Sequence, residues 1–297
     1  MTDFRSRFLG NARDVRIANW GNGGVEGRPS KVGRLQSKVK GWMGLRTRED
    51  RPVLVLNDGQ DLEALGILKT LELLIVAGEI VAPLVVAIPT NRDRMMEYGI
   101  TGHTDSGGRG ARAGAYAQFV RQELLPVVQA RDGISIRPGT TAVLGASLGG
   151  LSAFDLAWRH PEIFGICGVL SGSFWWRADS STARAKQATR IAHRLVRECS
   201  GGDAVMRARR RVRFWFQAGT DDETEDRDGN GVIDAIQDTT ELIDELVARG
   251  WESSADLVYR EVAGGRHEPA TWKDVFGEFA RFAFHTGKTG AATVRGE

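Results

Sequence analysis

Residues 143–161 read VLGASLGGLSAFDLAWRHP and set one hydroxyl, Ser147, between Gly145 and Gly149, where an apolar run gives way to a helical one. A serine oxygen becomes an effective nucleophile when a base takes its proton and donors face the oxyanion that its attack creates. The G-x-S-x-G spacing suits that chemistry at a sharp strand-to-helix turn. Small flanking residues relieve crowding, the bend lifts Oγ above the sheet, and the N–H of Leu148 at the helix start can face the oxyanion. With fourteen serines and 37 glycines, composition alone yields the spacing about 0.2 times. The flanking strand and helix therefore carry the argument against a glycine-rich turn with a capping serine.

The base must be one of five histidines. His103 precedes the serine, His160 ends the nucleophile helix as a dipole-facing cap, His193 lies mid-helix, and His285 closes the last helix. His267 stands in VAGGRHEPATW, a glycine-rich loop between the last strand and the last helix, where a side chain can project over the strand ends. The acid that orients it belongs at the end of the preceding strand, RVRFWFQAG, which opens into TDDETEDRDGNGVIDAIQD. Reach selects Asp222, with Asp221 as the alternative and a solvated acidic loop as the plain one. A second oxyanion donor would come from the turn after an early central strand. In RPVLVLNDGQDL, Gly59 lets the N–H of Gln60 turn toward the serine; a simple Asp-Gly turn accounts for the same residues.

Short apolar runs at 51–57, 82–90, 140–146, 164–172, 211–219 and 255–264 alternate with amphipathic stretches at 61–79, 113–131, 148–160, 183–199, 235–250 and 268–284. This alternation predicts an α/β fold, with a central, mostly parallel, twisted sheet and helices on both faces, and a site at the carboxyl ends of the strands. The 297 residues are read as one domain, with a basic, Gly-rich loop insertion at 21–51 and an acidic loop at 220–237. A net charge of +2 gives no overall field for nucleic acid or membrane, and the Arg-rich 207–211 run reads as a solvated helix end. Cys167 and Cys199 form no disulfide framework or metal-ligand spacing. Without an apolar leader in the first twenty residues or an 18-residue apolar run, the expectation is a cytoplasmic protein.

The segments LNDGQDL, NRDRMMEYG, GRGARAGAYAQFVRQELLPVV, LGASLGGLSAFDLAWRHPEIFGICGVLSGSFWW, FQAGTDD and GGRHEPATW follow the order of an esterase family of α/β-hydrolases. The chain resembles this family, which includes enterochelin-esterase-like enzymes and the feruloyl esterase domains of xylanases, from about residue 5 to 285. The resemblance implies the α/β-hydrolase fold, Ser147 as nucleophile, Asp222 as acid, His267 as base and the N–H groups of Gln60 and Leu148 as oxyanion donors. It also implies that Trp175, in SGSFWW, lies near the acyl or leaving-group pocket. The basic insertion and the acidic loop are not family essentials, so the substrate does not carry over.

Within the acidic loop, Asp226, Asp228, Asn230 and Asp234 fall at positions 1, 3, 5 and 9 of a calcium loop, with Gly231 sixth. Gln237 replaces the bidentate glutamate at position 12, so an Asx-turn loop without metal competes with structural calcium over 226–237. No cofactor is needed for the expected chemistry, hydrolysis of a small-molecule carboxylic ester through an acyl-enzyme. Two alternatives are an acyltransferase of the same fold and a catalytically silent binding protein that docks through its basic 28–51 segment. The sequence leaves the oligomeric state open.

Overall fold

The computed structural model describes residues 1, 3–20, 48–199, 203–252 and 256–286. Most of the basic insertion, residues 21–47, lies outside them. Strands β1 (Phe4–Arg5) and β2 (Ala12–Arg13) form a small antiparallel pair. The main sheet contains β3 (Arg16–Ala18), β4 (Val53–Asn57), β5 (Leu84–Ile88), β6 (Thr141–Ala146), β7 (Ile166–Leu170), β8 (Arg213–Asp221) and β9 (Leu257–Arg266) in the order β3-β5-β4-β6-β7-β8-β9. Every pairing is parallel except β3 with β5. The helices are α1 (Ile67–Val76), α2 (Arg94–Glu97), α3 (Ala113–Gln118), α4 (Leu125–Asp132), α5 (Leu148–Arg159), α6 (Ala183–Ala188), α7 (Ile191–Arg197), α8 (Asp203–Arg209), α9 (Asp234–Ala248) and α10 (Pro269–Phe284).

Strand β4 shows why apolar runs without polar alternation became central strands. Val53 and Val55 join a core with Phe119, Phe154 and Phe214, whereas Leu54 and Leu56 join one on the other face with Leu71, Phe276 and Phe279. Both faces are covered, so each position gains roughly 1.5–3 kcal/mol from burial of a large apolar side chain.

Two expected helices differ from their uniform periodicity. The 113–131 stretch contains a π-helical turn, Phe119–Leu124, before α4. Pro126, in the first turn of α4, lacks the N–H that a continuous α-helix would use. The 183–199 stretch divides into α6 and α7. Thr189 Oγ1 donates to Ala185 O, and Arg190 leaves the helical backbone so that its guanidinium reaches Asp238 and Glu241. In the Arg-rich run, Arg209 is packed rather than simply solvated: its guanidinium lies 4.8 Å from the Trp158 ring centroid, and Nε donates to Trp158 O. Among the described residues, no helix is long and apolar enough to cross a membrane.

Candidate active site

Ser147 joins β6 to α5 with φ 55° and ψ −125°, a conformation that costs a non-glycine residue on the order of 1–3 kcal/mol. The surrounding backbone holds it there: Ser147 N–H donates to Leu170 O at 2.8 Å, and Ser147 O accepts from Ser173 N–H at 3.2 Å. The turn is tight enough to require glycine on both sides. A Cβ at Gly145 would lie 2.1 Å from Gly149 O, and one at Gly149 would lie 2.5 Å from Asp58 Oδ2. Ser147 Oγ stands 3.4 Å from Ser173 Oγ, and Ser173 itself is buried.

The second turn is fastened directly to this one. At the end of β4, Asn57 Nδ2 donates to Gly149 O at 2.8 Å, while Tyr116 OH donates to Asn57 Oδ1 at 2.6 Å. Asp58 follows in the left-handed region, φ 53°, and its N–H donates to Tyr98 OH. Its buried carboxylate is gripped by Arg94 Nε at 2.7 Å and Nη2 at 2.8 Å. Gln60 anchors its side chain to Asp58 through Nε2 and accepts from Thr90 N–H through Oε1. Leu148 opens α5, and Gln60 is second in the short 3₁₀ turn Gly59–Leu62; first-turn N–H groups have no acceptor within their own helix.

The candidate acid and base come from two other strand ends. Asp222 directly follows β8, has a fully buried carboxylate, and lies with Oδ1 4.0 Å from His267 Nδ1. Its Oδ2 accepts Gly219 N–H at 3.1 Å, and its Oδ1 accepts Ser171 Oγ–H at 3.1 Å. Asp221, by contrast, is exposed and sits in the ladder opposite Arg266. His267 follows β9, keeps 41% of its side chain exposed, and meets Trp272 edge-on with ring centroids 5.2 Å apart. Burial holds its pKa below the usual histidine value; Asp222 pulls it up, and Arg94 pushes it down.

The other histidines have separate surroundings. His193 is buried, its Nε2 lies 2.8 Å from Asp238 O, and burial depresses its pKa to about 3. His160 Nδ1 lies 3.3 Å from Glu162, and His285 bridges to Ile80 in an isolated antiparallel pair. Trp175 is half-buried, with the Arg109 guanidinium 4.9 Å from its ring centroid. Arg109 is in turn held by Asp105. Arg94, Ser171 and Trp272 were not singled out from sequence, although all three lie inside the segments that carried the resemblance.

In the acidic loop, Asp226 accepts the N–H groups of Gly229, Asn230 and Gly231, and Asn230 and Asp228 both bond to Gln237. Asp234 is directed to Arg227, whose Nη1 lies 2.9 Å from both Asp234 and Asp238. Arg177 and Arg190 approach the same carboxylates. Among the described residues, no group of three His, Cys, Asp or Glu side chains is arranged to hold a metal ion.

The chain has relatives of known kind. It is 32% identical over 158 residues to the iron(III) enterobactin esterase of Escherichia coli strain K12, an overlap of 49% of this chain and 35% of that protein. Its fold matches the crystal structure of the Shigella flexneri enterobactin esterase obtained in the presence of enterobactin, with a TM-score of 0.65, 21% identity, and coverage of 93% of this chain and 56% of the other. A ferulic acid esterase matches with a TM-score of 0.63 at 16% identity over 96% and 97% of the two chains. The chain thus spans about a third of the length of this curated relative and just over half of the enterobactin esterase structure. These likenesses establish the α/β-hydrolase fold. The family described as "Putative esterase" matches residues 41–282, and with the elbow, the sheet and that match in hand, this chain belongs to that family.

Proposed function

We propose that the chain hydrolyses a small-molecule carboxylic ester through an acyl-enzyme. Ser147 is the nucleophile, His267 the general base and Asp222 the acid that fixes the imidazole tautomer, while the N–H groups of Leu148 and Gln60 receive the oxyanion. The observation that supports this best is the convergence of Asp222 and His267, from the ends of β8 and β9, at 4.0 Å. They adjoin the strained serine turn through one layer of hydrogen bonds, because Ser147 N–H binds the last residue of β7 and the next residue, Ser171, binds Asp222.

In this mechanism Ser147 Oγ attacks the ester carbonyl and its proton passes to His267 Nε2. The tetrahedral oxyanion is met by the two N–H groups, and its collapse expels the alcohol, which takes the proton back from His267. Water then repeats the sequence and releases the carboxylic acid. Burial and Arg94 disfavour the protonated imidazole against the pull of Asp222, which favours the neutral state that a base requires. This mechanism requires the Asp222–His267 pair, 4.0 Å apart in the resting protein, to close to a hydrogen bond as positive charge develops on the imidazole. Trp175, backed by Arg109, borders the acyl or leaving group.

The test is hydrolysis of p-nitrophenyl acetate by Ser147→Ala. The variant is expected to fold and to lose at least about a thousandfold in kcat. Full activity in that variant would end the serine mechanism.

A further inference from the structure

Two residues outside the proposed triad contact its acid and base: Ser171 bonds to Asp222, and the Trp272 ring meets His267. We infer that Ser171 and Trp272 are positioning residues, a two-step relay that runs from the Trp272 indole N–H through the Ser171 hydroxyl to the Asp222 carboxylate while the same indole ring backs His267. The inference rests on the triad reading above.

The distances fix the direction of the relay. Trp272 Nε1 lies 2.8 Å from Ser171 Oγ, and an indole N–H can only donate. That bond occupies a lone pair of the hydroxyl and leaves its single proton for an acceptor. Two acceptors are in range, Asp222 Oδ1 at 3.1 Å and Gln217 Oε1 at 3.4 Å. The carboxylate is both nearer and charged, so it takes the proton. Gly219 N–H holds the other carboxylate oxygen, and the two donors together fix the plane of the group.

The backbone supports the same role. Ser171 has φ 45°, unusual for a residue with a side chain, and its N–H donates to Gln217 O at 2.8 Å, so the hydroxyl is set by the end of β7 and the middle of β8. Ser171 and Trp272 are both buried, which keeps water from replacing either bond. Trp272 lies in the first turn of α10, five residues after His267, so one side chain touches His267 directly and reaches Asp222 through the Ser171 hydroxyl.

Steady-state kinetics on p-nitrophenyl esters test this with Ser171→Ala and Trp272→Phe, the second of which keeps an aromatic ring beside His267 but removes the donor together with part of the indole. Loss of a buried bond to a charged group predicts a fall in kcat of about tenfold for Ser171→Ala and about threefold to tenfold for Trp272→Phe, with KM within about twofold. Each change is then repeated in Asp222→Asn. If the relay acts through the carboxylate, the second change costs less than about twofold there, because residues acting as one unit are not additive. If Ser147→Ala retains activity, the triad reading falls and the relay falls with it. If Ser147→Ala is inactive while both relay variants keep wild-type kcat, or lose the same factor with and without Asp222, the relay alone is wrong. Melting curves accompany every variant; should Ser171→Ala fail to fold, Trp272→Phe decides between these outcomes.

Discussion

The two halves of the site are built in different ways. The proposed nucleophile half is local: Gly145, Ser147, Leu148 and Gly149 are nearly consecutive, and their geometry follows from a turn that admits no Cβ at its flanks. The proposed acid–base half is assembled from Ser171, Asp222, His267 and Trp272, drawn from three strand ends and a helix; hydrogen bonds link Trp272, Ser171 and Asp222, while His267 meets the Trp272 ring edge-on and lies 4.0 Å from Asp222. A turn of the first kind is maintained by steric exclusion, which one substitution on its rim breaks. The second kind is maintained by several bonds of moderate strength, so single changes should degrade it in steps.

The sharpest way to probe this contrast is the pair of adjacent aspartates. Asp222→Asn is expected to lower kcat by about a hundredfold or more, whereas Asp221→Asn should change it by less than about tenfold, both measured on p-nitrophenyl acetate. The reverse ranking would move the acid one residue and detach it from Ser171.

Arg94 bridges the two halves, since it grips Asp58 on the proposed oxyanion turn and its charge lowers the pKa of His267. Arg94→Met should lower kcat by roughly tenfold, because the buried Asp58 carboxylate loses its bidentate partner. It should also shift the pH profile. With the His267 pKa held down by burial, the acid limb of kcat/KM in the wild-type protein is expected below the ordinary histidine value. Removing the cation raises the His267 pKa and moves that limb to higher pH by less than about one unit. An unmoved limb would show that Arg94 serves the oxyanion turn alone.

The smallest effect concerns Glu223, beside the proposed acid. Burial, together with Asp234, raises its pKa from 4.5 to about 7. Such a carboxyl is protonated in the native protein but ionised in the unfolded chain between those values. Its contribution to stability is therefore complete below about pH 4.5 and lost as pH rises through 7. Glutamine cannot ionise, so the Tm of Glu223→Gln should exceed that of wild type by a margin that widens from pH 5 to pH 8. A constant margin would mean that Glu223 titrates normally.

Legibility from sequence followed the same division. The strands were readable because runs such as VLVLN are apolar at every position, which a sheet covered on both faces demands, and the serine turn was readable because its constraint is written in neighbouring residues. The three-residue strand β3 carries no such run; it exists because its backbone pairs with β5. Long-range partners left no periodic trace either. Nothing in the spacing of Ser171 and Trp272, 101 residues apart, says that one hydroxyl receives the other's N–H. Arg190 likewise looked like any charged residue of a helix, yet its buried pairing with Asp238 and Glu241 interrupts that helix.

The ion cluster around Arg227 has a consequence for how this chain could be remodelled. The Arg227 side chain is nearly inaccessible and is held between Asp234 and Asp238, so the acidic loop is pinned at its entry and again at the start of α9. Between the pins, residues 228–232 are largely solvent-facing, and Gly229 and Gly231 turn the backbone with no neighbour within 4 Å of a would-be Cβ. The tip can therefore be lengthened, exchanged for a foreign peptide or cut to create new termini, while the clamp absorbs the displacement before it reaches the strand end that carries Asp222.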